Sequence, residues 1–338
     1  MLLRVIGWVF GAVLGLALLL GLALYAHYRA FLETPLTTPA EGLVLKVEPG
    51  DSIQRVGMKL HQAGALDTVA YFRLHGRLSG LASRIQVGEY RVTPDTTPAT
   101  LLAAMVTGRV VQRSLTVVEG WTYRQLREAL ARHPQITQTL GDVPDQEIMA
   151  RLGHPEQHPE GRFFPDTYLF PAGFTDFEFL QRAYQRMEQE LAEAWAGRAP
   201  DLPLDSPEEA LILASIIERE TGQSGERREV SGVFTRRLQQ DWLLQTDPTV
   251  IYGLGDDFDG NLRRRDLQTD TPYNTYTRKG LPPTPIALPG EASLRAAVDP
   301  APGEAMYFVA RGDGTHQFSR TLAEHNRAVR EYQLGQAE

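Results

Sequence analysis

The sequence predicts an α+β fold in three parts: an N-terminal transmembrane helix, a small α+β subdomain and a larger α+β domain. The first observation is a run of 22 uncharged residues at 5–26. The second is that, in the remaining chain, short segments with period-two apolar residues alternate with longer segments of helical spacing. The third is the length of 338 residues, which corresponds to about two globular domains.

Composition excludes several classes of protein. With 42% hydrophobic and 22% charged residues, the chain is neither disordered nor a polytopic membrane protein. It has no cysteine, which excludes disulfides, thiolate zinc sites and cysteine nucleophiles. Residues 1–32 hold two arginines and no acid, leaving 32 basic against 42 acidic residues. Because nucleic-acid binding depends on neutralising phosphates, this acidic body predicts no nucleic-acid partner.

The run Val5–Ala26 predicts a single membrane span, since about 20 apolar residues cross the hydrocarbon core. A cleavable signal peptide is the alternative, but its apolar region is normally about 7–15 residues and ends at small residues. Here the run is longer and no A-x-A lies near Ala26. We therefore expect an uncleaved anchor. Arg4 and the terminal amine favour a cytoplasmic N-terminus over the side that carries Arg29.

The small subdomain begins after a proline-containing linker. The segment LVLKV predicts a strand, PG a turn, and Asp51 or Ser52 the N-cap of a helix. This strand–turn–helix start resembles that of a LysM-like module. The further predicted elements are a helix at Val69–Leu78, a strand at Ile85–Val92, and a helix at Pro98–Thr107 that ends at Gly108.

The larger domain contains a series of helices separated by long loops. Ser206-Pro207-Glu208-Glu209 predicts a capping box that opens the apolar helix ALILASIIERE, which we expect to be buried. We also expect an apolar strand after Asp247-Pro248. The other predicted elements are strands within VVQRSLTVVEG and at Met306–Ala310, and helices at Thr122–Ala131, Asp176–Trp195, Glu229–Gln240, Ser293–Val298 and Thr321–Gln333.

The buried helix ends in two glutamates, Glu218 and Glu220. Burial disfavours the charged form of a carboxyl group, which suits a general acid. The two side chains lie about 200° apart around a helix, so they cannot form one acid pair. Periodicity makes Glu218 plausible as an acid, and the alternative is that the helix frays into solvent with both glutamates on the surface.

Four irregular stretches rich in polar and aromatic residues are candidate binding loops. Aromatic faces together with amides and hydroxyls are typical of sugar-binding sites. No metal or cofactor site is expected, because prolines flank His154 and His158 and interrupt their helical spacing. The acidic stretch DDFDGNL also lacks the pattern of a calcium loop. The four stretches are 161–170, 244–253, 271–290 and 313–326.

Six motifs occur in an order that resembles the endolytic murein transglycosylases, the MltG or YceG-like family, over residues 42–332. They are EGWTYRQL, PEGRFFPDTYLF, ASIIERET, VFTRRLQQDWLLQTDPTVIYG, YNTYTRKGLPPTPIALPG and YFVARGDGTHQFSRTLAEHNRAV. The resemblance implies a lytic transglycosylase with Glu218 as catalytic residue and no cofactor. The substrate-binding candidates are Gln245, Asp247, Tyr273, Asn274, Tyr276 and His316.

The implied reaction cleaves the β-1,4 bond between N-acetylmuramic acid and N-acetylglucosamine. Protonated Glu218 donates to the glycosidic oxygen and then accepts the proton of the muramic acid O6, which attacks C1 to give a 1,6-anhydro end. The resemblance places the enzyme in the inner membrane, with its catalytic domain in the periplasm. There it ends the elongation of nascent glycan strands beside peptidoglycan synthases.

This interpretation divides the chain into parts and leaves two alternatives open. One is a hydrolytic muramidase, in which Asp247 positions a water molecule; the other is a non-catalytic peptidoglycan-binding scaffold. The predicted parts are a cytoplasmic tip and transmembrane anchor at 1–29, a linker at 30–41, a LysM-like subdomain at 42–108 and a transglycosylase catalytic domain at 109–338.

Overall fold

A computed structural model describes residues 2–223 and 225–335. The ends of the predicted parts 1–29 and 109–338 lie outside the described residues. The described chain divides into two compact units, which are treated separately: Met1–Arg113 with Leu169–Ala172, and Ser114–Tyr168 with Gly173–Glu338. Helices and strands are mixed throughout and an apolar helix stands first, which confirms the α+β class.

Helices dominate the described residues and the strands are short. The strands pair two by two, as β1 with β2, β3 with β4, and β5 with β6. The helices are α1 (Leu2–Glu33), α2 (Ile53–Gln62), α3 (Val69–Leu78), α4 (Pro98–Thr107), α5 (Tyr123–Arg132), α6 (Asp145–Arg151), α7 (Asp176–Ala196), α8 (Pro207–Glu220), α9 (Arg227–Gln239), α10 (Asp247–Leu254), α11 (Arg264–Gln268), α12 (Glu291–Val298) and α13 (Leu322–Tyr332). The strands are β1 (Leu43–Val47), β2 (Gly88–Val92), β3 (Arg113–Thr116), β4 (Thr167–Phe170), β5 (Tyr307–Ala310) and β6 (His316–Ser319).

Helix α1 is long and apolar enough to cross a membrane, by length and composition alone. From Ile6 to Glu33 it has 28 residues, and its most apolar stretch has a mean hydropathy of 2.4 with no residue buried. The predicted linker starts too early, because residues 30–33 are helical. The physical reason is that Phe31 packs against the apolar core of the first unit. An ion pair of 2.6 Å between Arg29 and Glu33 adds i,i+4 support.

The first unit has the order β1–α2–α3–β2–α4 after the anchor helix. β1 and β2 are antiparallel, with Leu45 opposite Tyr90. The Ser52 hydroxyl accepts from Arg55 N–H and caps α2, as its position predicts. α4 ends at Gly108 with φ 67°, a left-handed conformation that glycine adopts without strain. The core of this unit gathers Val47, Val56, Leu60, Phe72, Val92 and Leu102.

The second unit is built around α8, which is buried along eight consecutive residues from Ala210 to Ile217. A helix so apolar must be covered on all sides, and α7, α9, α10 and α12 pack around it. The Ser206 hydroxyl caps α8 by accepting from Glu209 N–H. The predicted reciprocal bond is absent, because the Glu209 carboxylate accepts from Asp205 N–H instead.

Two elements of the second unit differ from the sequence-based expectation. The apolar segment after Asp247-Pro248 is the helix α10, not a strand. A proline in the first turn favours a helix start, and the Thr249 hydroxyl bonds back to the Thr246 carbonyl oxygen at 2.8 Å. The strand β6 was not predicted. Its four residues pair with β5, so it depends on a partner rather than on its own periodicity.

Two glycines with the same backbone conformation provide a stability test. Gly161 (φ +82°) and Gly173 (φ +80°) are both left-handed, but a Cβ on Gly161 would lie 2.5 Å from Pro285 Cβ, whereas Gly173 faces open space. We expect Gly173→Ala to lose about 1–2 kcal/mol of unfolding free energy from backbone strain. Gly161→Ala should lose a further 1–3 kcal/mol or so from overpacking. Urea denaturation of the two variants measures the difference, and equal losses would contradict the packing argument.

Candidate active site

The last turn of α8 directs its two glutamates into different surroundings. The side chain of Glu218 is 5% exposed, so the expectation that this end frays into solvent is wrong. Gly290 N–H donates to Glu218 Oε2 at 2.9 Å, and Arg227 Nη2 lies 3.3 Å from Oε1. Both carboxylate oxygens of Glu218 are therefore engaged by hydrogen-bond donors of the protein.

Arg227 joins Glu218 to a second carboxylate. Its side chain is 9% exposed, and its Nε donates to the buried Ser293 hydroxyl at 3.1 Å. Arg227 Nη2 also lies 3.8 Å from Oε2 of Glu119, which is half exposed. Burial and the charge of Glu218 raise the pKa of Glu119. Sequence reasoning missed both roles; Glu119 stands in the EGWTYRQL motif, whereas no quoted motif contains Arg227.

A cavity of about 500 Å³ lies on the other side of the α8 terminus. Its wall includes Glu220 and four of the six predicted substrate-binding residues, and Glu218 is not part of it. The motifs that carry these residues are far apart in sequence, so only the fold brings them together. The four residues are Gln245, Asp247, Tyr276 and His316.

Glu220 is the carboxyl group at the base of this cavity. The Thr246 hydroxyl donates to its Oε1. Burial raises the pKa of Glu220 to about 7, and the neighbouring charge of Asp247 raises it further. Thr246, His316 and Arg237 act in the opposite direction. Near neutral pH a large fraction of Glu220 is therefore protonated, as a proton donor requires.

Asp247 and Gln245 stand beside Glu220. The Tyr276 hydroxyl donates to Asp247 Oδ1 at 2.5 Å, and burial raises the pKa of Tyr276, so this phenol stays a donor. Gln245 has φ 51°, unusual for a residue with a side chain. Such strain concentrates at functional sites, and the Gln245 N–H bond to the Thr275 carbonyl oxygen at 3.1 Å holds it.

His316 enters the cavity from β6. Its backbone N–H donates to Glu226 Oε1 at 2.9 Å, and its Nδ1 lies 2.7 Å from Glu226 Oε2. Glu226 is the residue before α9, and its contact with His316 spans 90 residues of sequence. Sequence reasoning did not single out Glu226.

The other two substrate-binding candidates, Tyr273 and Asn274, are not among the residues that line the cavity. The Tyr273 hydroxyl is hydrogen-bonded to Thr284 at 2.8 Å. Asn274 is 1% exposed, and its Oδ1 accepts from Tyr276 N–H at 2.9 Å. Its amide nitrogen donates to the carbonyl oxygens of Asp266, Leu267 and Thr269. The correction is that Asn274 positions Tyr276 from behind, because its hydrogen-bonding groups are used inside the protein.

An α+β protein whose cavity holds a buried carboxyl group, an aspartate and a histidine–carboxylate pair belongs to the class of proteins equipped for acid–base chemistry. The sequence profile of the YceG-like family matches residues 45–331. The chain belongs to the YceG-like family.

Relatives of known name agree with this family. An endolytic murein transglycosylase of Bacillus subtilis is 29% identical over 305 residues, covering 85% of this chain and 84% of that protein. One of Streptococcus pneumoniae is 23% identical over 353 residues, covering 91% of this chain but 62% of its own longer sequence. A crystal structure of a YceG-like protein from Listeria monocytogenes has a TM-score of 0.54 and 28% identity. The match covers 86% of this chain and 99% of that structure.

Proposed function

We propose that this protein is a lytic transglycosylase that acts on peptidoglycan. The observation that carries the proposal is the cavity in which Glu220 stands with Asp247, Tyr276 and His316. Its chemistry suits glycosidic bond cleavage, which needs a protonated acid beside groups that stabilise positive charge. Membership of a family whose relatives are named endolytic murein transglycosylases supports the same function.

The bond cleaved in this proposal is the β-1,4 bond between N-acetylmuramic acid and N-acetylglucosamine. Protonated Glu220 donates to the glycosidic oxygen, and the O6 hydroxyl of the muramic acid attacks C1. The Asp247 carboxylate, oriented by Tyr276, stabilises the cationic transition state. The product is a 1,6-anhydro end, and no water is consumed.

The acid role is proposed for Glu220 rather than for Glu218, the residue that the resemblance indicates. Glu220 lines the cavity with the predicted substrate-binding residues, and burial raises its pKa to about 7. Both oxygens of Glu218 are engaged by Arg227 and Gly290. The assignment to Glu218 stays a prediction, and the two glutamates are separated by experiment in the Discussion.

The proposal includes the cellular context of the reaction. We propose that α1 is a single-pass inner-membrane anchor and that the catalytic domain lies in the periplasm. There it would cut nascent glycan strands and end their elongation beside peptidoglycan synthases. The length and hydropathy of α1 support the anchor. Residues 42–108 are proposed as a LysM-like subdomain; an antiparallel β1–β2 pair that encloses α2 and α3 in sequence supports this.

Product analysis tests the proposed function. The full chain in detergent is incubated with uncrosslinked glycan strands, and the products are identified by mass spectrometry. We expect 1,6-anhydromuramic acid ends. Reducing ends would instead indicate a muramidase, which the closeness of Asp247 to Glu220 favours as the second candidate because two carboxyl groups can activate water. Binding of the strands without products would indicate a scaffold.

A further inference from the structure

We propose that His316, held by Glu226, is the base that takes the proton of the attacking hydroxyl group. The cavity would then use two proton-transfer groups, with Glu220 as the acid and His316 as the base. This inference rests on the proposed function, since it assigns a step of the same reaction. A single glutamate that does both jobs is the alternative.

The first argument is that Glu226 fixes both the position and the tautomer of His316. One carboxylate oxygen accepts from the backbone N–H at 2.9 Å, and the other lies 2.7 Å from ring Nδ1. The two side chains are only 17% and 12% exposed, respectively. Because a carboxylate accepts and does not donate, the neutral ring carries its proton on Nδ1. Its Nε2 then keeps a lone pair that can accept a proton.

The second argument is the place of the ring in the cavity. Phe308 meets the His316 ring edge to face, with 5.5 Å between ring centroids, so the ring is held by packing as well as by Glu226. His316 and Glu220 line the same cavity, and the charge of His316 lowers the pKa of Glu220. The two groups are therefore electrostatically coupled.

The charged and titratable groups around His316 come from several elements. Glu226 makes the direct contact, and the remaining groups line the same cavity. They are Glu220 on α8, Arg237 on α9, Asp247 on α10, Tyr276, Tyr307 on β5 and His325 on α13. Among them His316 alone combines a ring nitrogen with a carboxylate partner in contact with the ring.

The proposed step balances without any added reactant. The C1–oxygen bond to the leaving sugar breaks, and the leaving oxygen takes the proton of Glu220. The O6–C1 bond forms, and the O6 proton passes to Nε2 of His316. After the product leaves, the imidazolium proton returns to the Glu220 carboxylate through water in the cavity. Carboxylate–histidine pairs are common general bases because the carboxylate orients the ring and stabilises its protonated form.

The test compares His316→Gln and Glu226→Gln with the wild-type full chain on uncrosslinked glycan strands across pH. We expect each variant to lower kcat by about 10²–10⁴-fold at the optimum. KM should stay within about threefold of the wild-type value. The fall of the wild-type rate at low pH, where His316 becomes protonated, should disappear in His316→Gln. Glu229→Gln, an exposed carboxylate on the same helix α9, is the matched control and should behave as wild type.

Two results would overturn the proposal. One is a His316→Gln variant that keeps the low-pH fall and loses only KM, as expected for a residue that merely binds substrate. The other comes from nuclear magnetic resonance of labelled histidine in the full-length Glu220→Gln variant. If bound glycan strands leave the His316 Nε2 resonance unmoved, Nε2 does not meet the substrate, even if the wild type proves inactive. A failure of the proposed function appears separately, as a wild-type protein that forms no cleavage products.

Discussion

Glu220→Gln is expected to lower the rate of anhydro-end formation by about 10²–10⁴-fold. The amide keeps the shape of the side chain and can still accept from the Thr246 hydroxyl, but it cannot donate an acidic proton. Glycan binding should persist, because the other cavity residues are untouched. Mass spectrometry of the products and a binding assay on the same strands separate the two effects.

Glu218→Gln is the paired variant, and a much smaller loss of rate is expected. Its amide oxygen still accepts from Gly290 N–H, and the position lies outside the cavity wall. Glu128→Gln, a half-exposed glutamate on α5 paired with Arg132, serves as the surface control. If Glu218→Gln abolished cleavage and Glu220→Gln did not, the acid would be Glu218, and its catalytic centre would include Arg227 and Glu119.

The raised pKa of Glu220 adds a dependence on pH. A proton donor with a pKa of about 7 is active below that pH and is lost above it, so kcat/KM should fall as pH rises through 7. The same sign applies to stability. The folded state binds this proton more tightly than the unfolded state, so the contribution is present at low pH and disappears above pH 7. Glu220→Gln should therefore raise the melting temperature relative to wild type more at pH 8 than at pH 5.

Arg227→Met is expected to lower the free energy of unfolding by about 3–5 kcal/mol, the usual result of removing one partner of a buried ion pair. Arg227 is 9% exposed and holds Glu218, itself 5% exposed, and the Ser293 hydroxyl. Without it, Glu218 keeps its buried charge with Gly290 N–H as its remaining hydrogen-bond donor. Thermal and urea denaturation of the full chain measure the loss.

The neighbouring residue Arg228 is a matched control for Arg227. Its side chain is 55% exposed and pairs with the equally exposed Asp299 at 3.0 Å. Such surface pairs contribute at most about 1 kcal/mol, so Arg228→Met should change stability little. Adding Glu218→Met to Arg227→Met should recover part of the loss, because no unpaired charge then remains. Equal effects of Arg227→Met and Arg228→Met would contradict the role of the buried pair.

Local sequence predicted most of the helices because their signals lie within one or two turns. Ser52 before α2, Gly108 after α4 and Thr122 before α5 take the capping positions that the sequence indicates. The failures have equally physical causes. β6 depends on pairing with β5, and the short apolar segment of α10 satisfies the pattern of a strand as well as that of a helix.

The candidate site was predicted in part. The polar loops that supply Gln245, Asp247, Tyr276 and His316 do converge on one cavity. Tyr273 and Asn274 stand in the same motif as Tyr276 but serve the interior. Side-chain types in a loop do not indicate which of them turn inward, since that depends on partners elsewhere in the chain.

The sequence by itself determined the apolar N-terminal segment, the burial of α8 and the family, because these depend on composition, periodicity and motif order. Only the tertiary structure decided which glutamate of α8 stands in the cavity. Helical geometry separates Glu218 from Glu220, but the surroundings of each come from distant residues. Arg227 and Gly290 engage Glu218, whereas Thr246, Asp247 and His316 surround Glu220. A carboxyl group acquires its protonation behaviour from such neighbours and from burial, and neither is encoded within its own helix.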